Sequence, residues 1–155
     1  MPPPYSGHCQ CGELRYQIRG EPVTLYVCHC TNCQKQSSSA FGMSLRIKRD
    51  DFHLLAGTLK SFTEVADSGG EKNCAFCPDC GTRIYHAPAH GRAGGTINVK
   101  PGTLDDTSWL HPIGQMWTKS AQSWVHIPNG LLNYPENPER QDELLEAWSK
   151  WQADN

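Results

Sequence analysis

The chain has no apolar run approaching the roughly 20 residues that a helix needs to cross a bilayer, so a membrane-spanning helix is not expected. Its first residues, Met1-Pro2-Pro3-Pro4-Tyr5-Ser6, carry no basic region followed by an apolar stretch, so no secretory signal is visible. A reducing cytoplasm is therefore the expected location. Positive charge is not in excess either: 14 Lys and Arg against 16 Asp and Glu give a formal charge of −2. A phosphate backbone would find no general attraction, and nucleic acid is not an expected partner. No Ser/His/Asp set and no pair of carboxylates stands out as catalytic machinery. Only 37% of the residues are apolar, and 11 prolines and 14 glycines in 155 residues point away from a helical bundle and toward a turn-rich, mainly β chain.

What the chain does have is cysteine in clusters. Cys28-His29-Cys30-Thr31-Asn32-Cys33 places three thiols in six residues, Cys9-Gln10-Cys11 precedes it, and Cys77-Pro78-Asp79-Cys80-Gly81 follows. A disulfide framework is the alternative, since the total of eight cysteines is even. Spacing speaks against it. In an extended Cys-x-Cys both side chains lie on one face with Cα atoms roughly 6.5–7 Å apart, at or beyond the limit for an undistorted disulfide. Two such sulfurs still meet on one zinc, with bonds of about 2.3 Å.

A structural zinc site wants four protein ligands, and the two outlying pairs supply Cys9, Cys11, Cys77 and Cys80. The second pair, followed by Gly81, has the pattern of a knuckle in which glycine permits a positive φ and turns amides toward the sulfurs. The triplet Cys28, Cys30 and Cys33 would then hold a second zinc with three sulfurs and an exchangeable position, the arrangement of catalytic sites. Other divisions stay open. Cys74, or a histidine such as His29, His53, His86 or His90, could close the second site and make it structural, and the triplet could mix with the pairs. His29 and Asn32 lie inside the triplet, where they could hydrogen-bond substrate or sulfur, or serve the local turn.

The length suits one domain, 1–155. Glu13–Arg19 alternates with Leu14, Tyr16 and Ile18 on one face, Gly20-Glu21-Pro22 turns the chain, and Val23–Val27 returns as a strand that delivers Cys28. Gln34–Ala40 is polar and small, suited to a loop, a short helix or a pocket lining. Further strands are expected over Phe41–Ile47, Phe52–Ala56, Gly57–Phe62, Thr82–Tyr85 and Gly95–Val99, with loops at Asp67–Gly70 and Ala87–Gly94. Such regular spacing of short strands suits a β-sandwich or a related β-fold. Trp109, Trp117 and Trp124 are expected to pack at the core or its rim. A C-terminal helix over about 138–152 is expected, with Asn137 as N-cap and Pro138 at its first position. Leu144, Leu145, Trp148 and Trp151 give it one apolar face, suited to packing on the β-domain or to contact in an oligomer.

Taken together, Gly7-His8-Cys9-Gln10-Cys11-Gly12, Cys28 through Lys35 and Phe76-Cys77-Pro78-Asp79-Cys80-Gly81-Thr82 resemble the glutathione-dependent formaldehyde-activating enzyme family, which includes the centromere protein V group. Ser120-Ala121-Gln122-Ser123-Trp124 into Pro128 is similar to that family's closing motif, so the resemblance covers roughly residues 5–130. It implies a small β-fold of tent-like sheets stapled by zinc. It also implies two Zn²⁺ per chain, a structural one on Cys9, Cys11, Cys77 and Cys80 and a catalytic one on Cys28, Cys30 and Cys33. The implied activity is that of a carbon–sulfur lyase, in which glutathione adds to formaldehyde to give S-hydroxymethylglutathione. Where similar sequences tend to carry a basic residue three positions before Cys77, this chain has Cys74, and loss of that charge would weaken the hold on an anionic thiol.

The residues themselves support the same chemistry: a small thiol takes the open position on the second zinc, loses its proton and attacks a small aldehyde, or the adduct is cleaved in reverse. The competing reading is a non-catalytic binding module stapled by two structural zinc ions, with the aromatic-rich last third facing a protein partner.

Overall fold

The structure, a computed structural model, describes residues 2–66, 69–90, 95–140 and 142–155. Asp67 and Ser68 of one expected loop, Gly91, Arg92, Ala93 and Gly94 of the next, and Gln141 of the expected helix lie outside the described residues. The described residues form strands β1 (Tyr5–His8), β2 (Arg15–Ile18), β3 (Thr24–Cys28), β4 (Gly42–Lys48), β5 (Phe52–Ala56), β6 (Lys60–Val65), β7 (Glu71–Phe76), β8 (Arg83–Pro88), β9 (Thr96–Val99), β10 (Gly114–Met116) and β11 (Leu132–Asn133). Two α-helices accompany them, α1 (Thr31–Ser37) and α2 (Asp142–Asp154). The strands form two sheets, so the protein is mainly β with a C-terminal helix. No helix among the described residues is long and apolar enough to cross a membrane.

The chain divides into two compact units. The first comprises Met1–Pro22 and Leu45–Leu110. Here β2 lies between β1 and β5, antiparallel to both. The second half of β4 is followed across its sheet by β9, β8, β7 and β6, all antiparallel. The alternation expected from Glu13–Arg19 is borne out: Leu14, Tyr16 and Ile18 are fully buried. Tyr16 stacks on Phe52 at 5.0 Å between ring centroids, and Phe52 meets Tyr85 edge-on at 5.1 Å, so three aromatic rings tie β2, β5 and β8 together. Gly7 is required beneath that cluster, because a Cβ there would lie 2.5 Å from the Tyr16 ring and 2.6 Å from the Thr103 carbonyl oxygen.

The second unit comprises Val23–Ser44 and His111–Asn155. Its centre is β3, buried along its whole length and paired in parallel with β10, which pairs in parallel with β11. Complete burial explains why Thr24–Cys28 is rich in β-branched and aromatic residues and shows no alternation. Helix α2 lies against β3 through Leu144 and Trp148, both buried, and the Thr24 hydroxyl donates to the Leu144 carbonyl at 3.2 Å. Gly114 on β10 leaves the space for Leu144, whose Cδ2 would be 2.7 Å from a Cβ at that position.

Two expectations are corrected here. Among the described residues the C-terminal helix covers Asp142–Asp154 and does not include Pro138, because the segment around Asn137 is held elsewhere. Asn137 accepts from the Trp117 indole at 2.9 Å and does not cap a helix, while Trp117 and Thr118 donate their backbone N–H groups to the carbonyls of Glu136 and Tyr134. Trp124, expected to pack, is 74% exposed. Strands β1, β7, β10 and β11 carry no clear periodic signal in the sequence; β7 mixes charged and buried positions, and β10 and β11 are too short to show a period.

Truncating Leu144 to alanine is expected to cost about 2–5 kcal/mol, read as a lowered urea midpoint; an unchanged midpoint would show that α2 contributes little to the second unit.

Candidate metal centres

In the first unit, two tight turns bring four thiols together. Cys9 donates its N–H to Leu14 and accepts at its carbonyl from Gly12, whose φ of +82° is the left-handed turn glycine allows. The second turn repeats this: Cys77 donates to the Thr82 carbonyl, Gly81 donates to the Cys77 carbonyl, and Gly81 has φ +75°, the positive φ expected of a knuckle. The Leu14 N–H points at Cys9 Sγ at 3.2 Å. The thiols of Cys9, Cys11, Cys77 and Cys80 all lie within 4.8 Å of one another, with Cys9 and Cys11 at 3.3 Å and Cys11 and Cys77 at 3.8 Å. Zinc–sulfur bonds of about 2.3 Å in a tetrahedron put neighbouring sulfurs about 3.8 Å apart, so the donor set fits zinc.

Charge in this cluster is unevenly placed. The Thr82 hydroxyl, donating to Cys80 Sγ at 3.1 Å, leads the contacts that hold the Cys80 thiol down to about 5. Cys11 goes the other way: the Glu13 N–H favours its thiolate, but Cys9, burial and the other two thiols together push it up to about 12. Four crowded sulfurs do not ionise together unless a cation offsets their charge, and a divalent metal does so.

The second unit builds the triplet from a strand end and a helix start. Cys28 closes β3 opposite Met116 of β10, and His29 donates its N–H to the Met116 carbonyl at 2.9 Å. Cys30 is the N-cap of α1, its sulfur accepting from the Cys33 N–H at 3.4 Å, and Cys33 sits one turn in. The three thiols lie within 4.8 Å of one another and are 7%, 8% and 7% exposed. Gly42 faces them, where a Cβ would lie 3.3 Å from that of Cys33. Contacts with Cys30 and Cys33, then burial, push the Cys28 thiol far up. Three sulfurs this close and this dry also fit a cation that withdraws their protons.

Three glutamines that the sequence did not single out support the triplet. Gln36 donates to Cys33 Sγ at 3.4 Å. Gln34 donates to the carbonyls of His29 at 2.8 Å and Ser120 at 2.9 Å, pinning the loop between β3 and α1. Gln115 on β10 meets His29 Nε2 through its side-chain oxygen at 2.5 Å. Glutamine has no spacing signature, so only the folded contacts reveal these roles.

The other candidate ligands go elsewhere. Cys74, buried on β7 opposite His86, belongs to neither cluster, and burial raises its pKa. His86 is buried, and burial followed by the charges of Lys100, Lys72, Arg83 and Arg46 holds its pKa well below the usual imidazole range. His90 pairs with Glu71 at 3.1 Å. His29 turns its ring to Gln115, and Asn32 lies in the first turn of α1. Among the described residues no histidine or carboxylate joins either set of thiols.

A mainly β protein with one four-thiol and one three-thiol cluster thus carries two donor sets that could hold zinc. The model of the glutathione-dependent formaldehyde-activating enzyme family matches residues 4–120, and the chain belongs to that family. Among solved structures, a Rhodobacter sphaeroides protein is similar at a TM-score of 0.51 and 17% identity, over 69% of this chain and 91% of that one, a likeness of fold. No curated protein sequence matches the chain.

Protein purified with zinc present is expected to carry two zinc ions per chain by atomic emission, and Cys77→Ser one, with a lowered thermal midpoint. Gln36→Ala is expected to weaken zinc binding at the triplet about 10–100-fold, measured by competition with a chromogenic chelator; unchanged competition would remove Gln36 from the site.

Proposed function

We propose that the protein is a zinc-dependent enzyme of the carbon–sulfur lyase type that adds a small thiol such as glutathione to formaldehyde or a related small aldehyde, or cleaves such an adduct. The observation that carries this reading is the Cys28, Cys30 and Cys33 triplet: three buried thiols that, among the described residues, no fourth protein ligand joins. Family membership supports glutathione and formaldehyde as the substrate pair.

These three cysteines would hold the catalytic zinc, and Cys9, Cys11, Cys77 and Cys80 the structural one. When bound at the triplet, zinc supplies the positive charge that favours a substrate thiolate over its thiol at neutral pH. In the net addition, the thiol sulfur bonds to the carbonyl carbon and the thiol's proton ends on the carbonyl oxygen. The reverse breaks the same carbon–sulfur bond, and nothing is oxidised or reduced.

The chain's own groups set the stage for this. Burial of the three sulfurs keeps water from the reacting centre, where it would compete with the thiol. The Gln36 amide donates to Cys33 Sγ and would take up part of its charge were a metal held there. The Gln34 amide clamps the loop, and with it the spacing of Cys28 from Cys30, by two backbone contacts. The Cys33 N–H donates to Cys30 Sγ, so the helix start helps to orient the sulfur it follows. We place the enzyme in the cytoplasm, where free thiols stay reduced, and treat residues 1–155 as one functional domain.

The test is the rate at which ¹³C-labelled formaldehyde exchanges with its glutathione adduct, followed by NMR. Zinc-loaded protein is expected to raise that rate above the spontaneous one, and Cys28→Ala to return it to the spontaneous level while one zinc per chain remains. A wild-type rate equal to the spontaneous one would favour the non-catalytic zinc module.

A further inference from the structure

The second unit holds a cavity of about 430 Å³ lined by Val27, Phe41, Val125 and Leu131 and by the polar side chains of Gln115, Asn129, His111 and His126. Its volume falls in the range of small-molecule sites, and its lining combines apolar walls with a set of uncharged amides and imidazoles. No Asp, Glu, Lys or Arg lines it. Val27 and Cys28 are successive residues of one strand and project to opposite faces. Gln115 pairs with Val27 in the register of β10 and β3, whereas Met116 pairs with Cys28. The cavity therefore opens on the face of β3 that the first thiol of the triplet does not use.

Gln115, the most deeply buried polar residue of the lining, limits what the cavity takes. Gln115 is 5% exposed, and its side-chain oxygen is engaged by His29 Nε2 at 2.5 Å. A carbonyl oxygen accepts, so the imidazole carries its proton on Nε2, and the group Gln115 has left to offer is its NH₂. His29 is wholly buried, its Nδ1 has no hydrogen-bond partner among the described residues, and the edge of Phe41 lies against its ring at 5.5 Å. The orientation of Gln115 is thus fixed from behind by a ring that cannot turn to water.

We infer that this cavity is a second binding site, distinct from the thiol centre, for a small neutral molecule with an apolar body and one hydrogen-bond acceptor, a ketone, ester or amide. The apolar walls take the body, and the Gln115 NH₂ donates to the acceptor. An anion is disfavoured because no fixed positive charge lines the walls to replace its hydration. A ligand without an acceptor leaves the amide unanswered. Because Gln115 also holds His29, which sits between Cys28 and Cys30, the occupant would act on a residue in the middle of the triplet. The inference goes beyond the thiol reaction and stands without it.

The test uses the zinc-loaded full chain at pH 8. Titrations by ligand-observed NMR compare acetophenone, ethylbenzene and benzoate. Acetophenone is expected to bind about fivefold tighter than ethylbenzene, the worth of one net hydrogen bond, and benzoate to bind weakest. Leu131→Trp, which fills the cavity from its wall, is expected to abolish acetophenone binding. Equal affinities for the three probes, no binding of acetophenone, or undiminished binding to Leu131→Trp would overturn the inference. If that variant does not fold, the order of the three affinities for the wild-type chain decides.

Discussion

Crowding of sulfur is the constraint on which this protein depends. Seven of its eight cysteines are gathered in two sets whose members lie within 4.8 Å of one another. Thiols at that separation oppose each other's ionisation, and each added negative charge makes the next harder to place. The polypeptide spends two glycine turns, one strand end and one helix cap on holding them there. A cation that accepts the sulfurs' lone pairs would relieve that opposition, and the same crowding would then make a tight binding site.

The two clusters differ in how they are supported, and the difference matches the roles we give them. In the first unit the sulfurs come from two similar turns, with Cys11 exposed and Cys80 half-exposed, and amide and hydroxyl donors already steady part of the charge. A site of that kind staples loops whether or not a substrate is near. In the second unit all three sulfurs are buried, and they sit where β3 ends and α1 begins, so a strand end fixes one thiol and the helix start the other two. Side-chain amides complete the support. Gln34, Gln36 and Gln115 add no formal charge of their own: Gln34 and Gln115 fix geometry, and Gln36 donates to the Cys33 sulfur.

The neighbourhood of His29 joins these themes. Its backbone carries it between two of the clustered thiols, its ring is wholly buried, and Gln115 and Phe41 hold the ring while also lining the cavity. A histidine inside a cysteine triplet invites the idea of a fourth ligand. The ring is instead a strut, turned toward β10.

Much of the architecture was legible in the chain itself, for reasons of periodicity and spacing. Leu14, Tyr16 and Ile18 alternate because one face of β2 is buried. Gly81 follows Cys80 because the turn needs a positive φ. Cysteines two and three residues apart can share a metal but scarcely a disulfide, so both thiol sets could be proposed before any fold was known. The start of α2 was misread because Asn137 and Pro138 obey local rules that a contact with Trp117, twenty residues away, overrides. Trp124 was misplaced because the area an indole can bury says nothing about whether a neighbour arrives to cover it. The glutamine supports, the fate of His29 and the cavity above Gln115 had no local signature at all. Local sequence determines what a residue can bond to; which partner reaches it depends on chain segments distant in sequence, and only the tertiary structure brings those together.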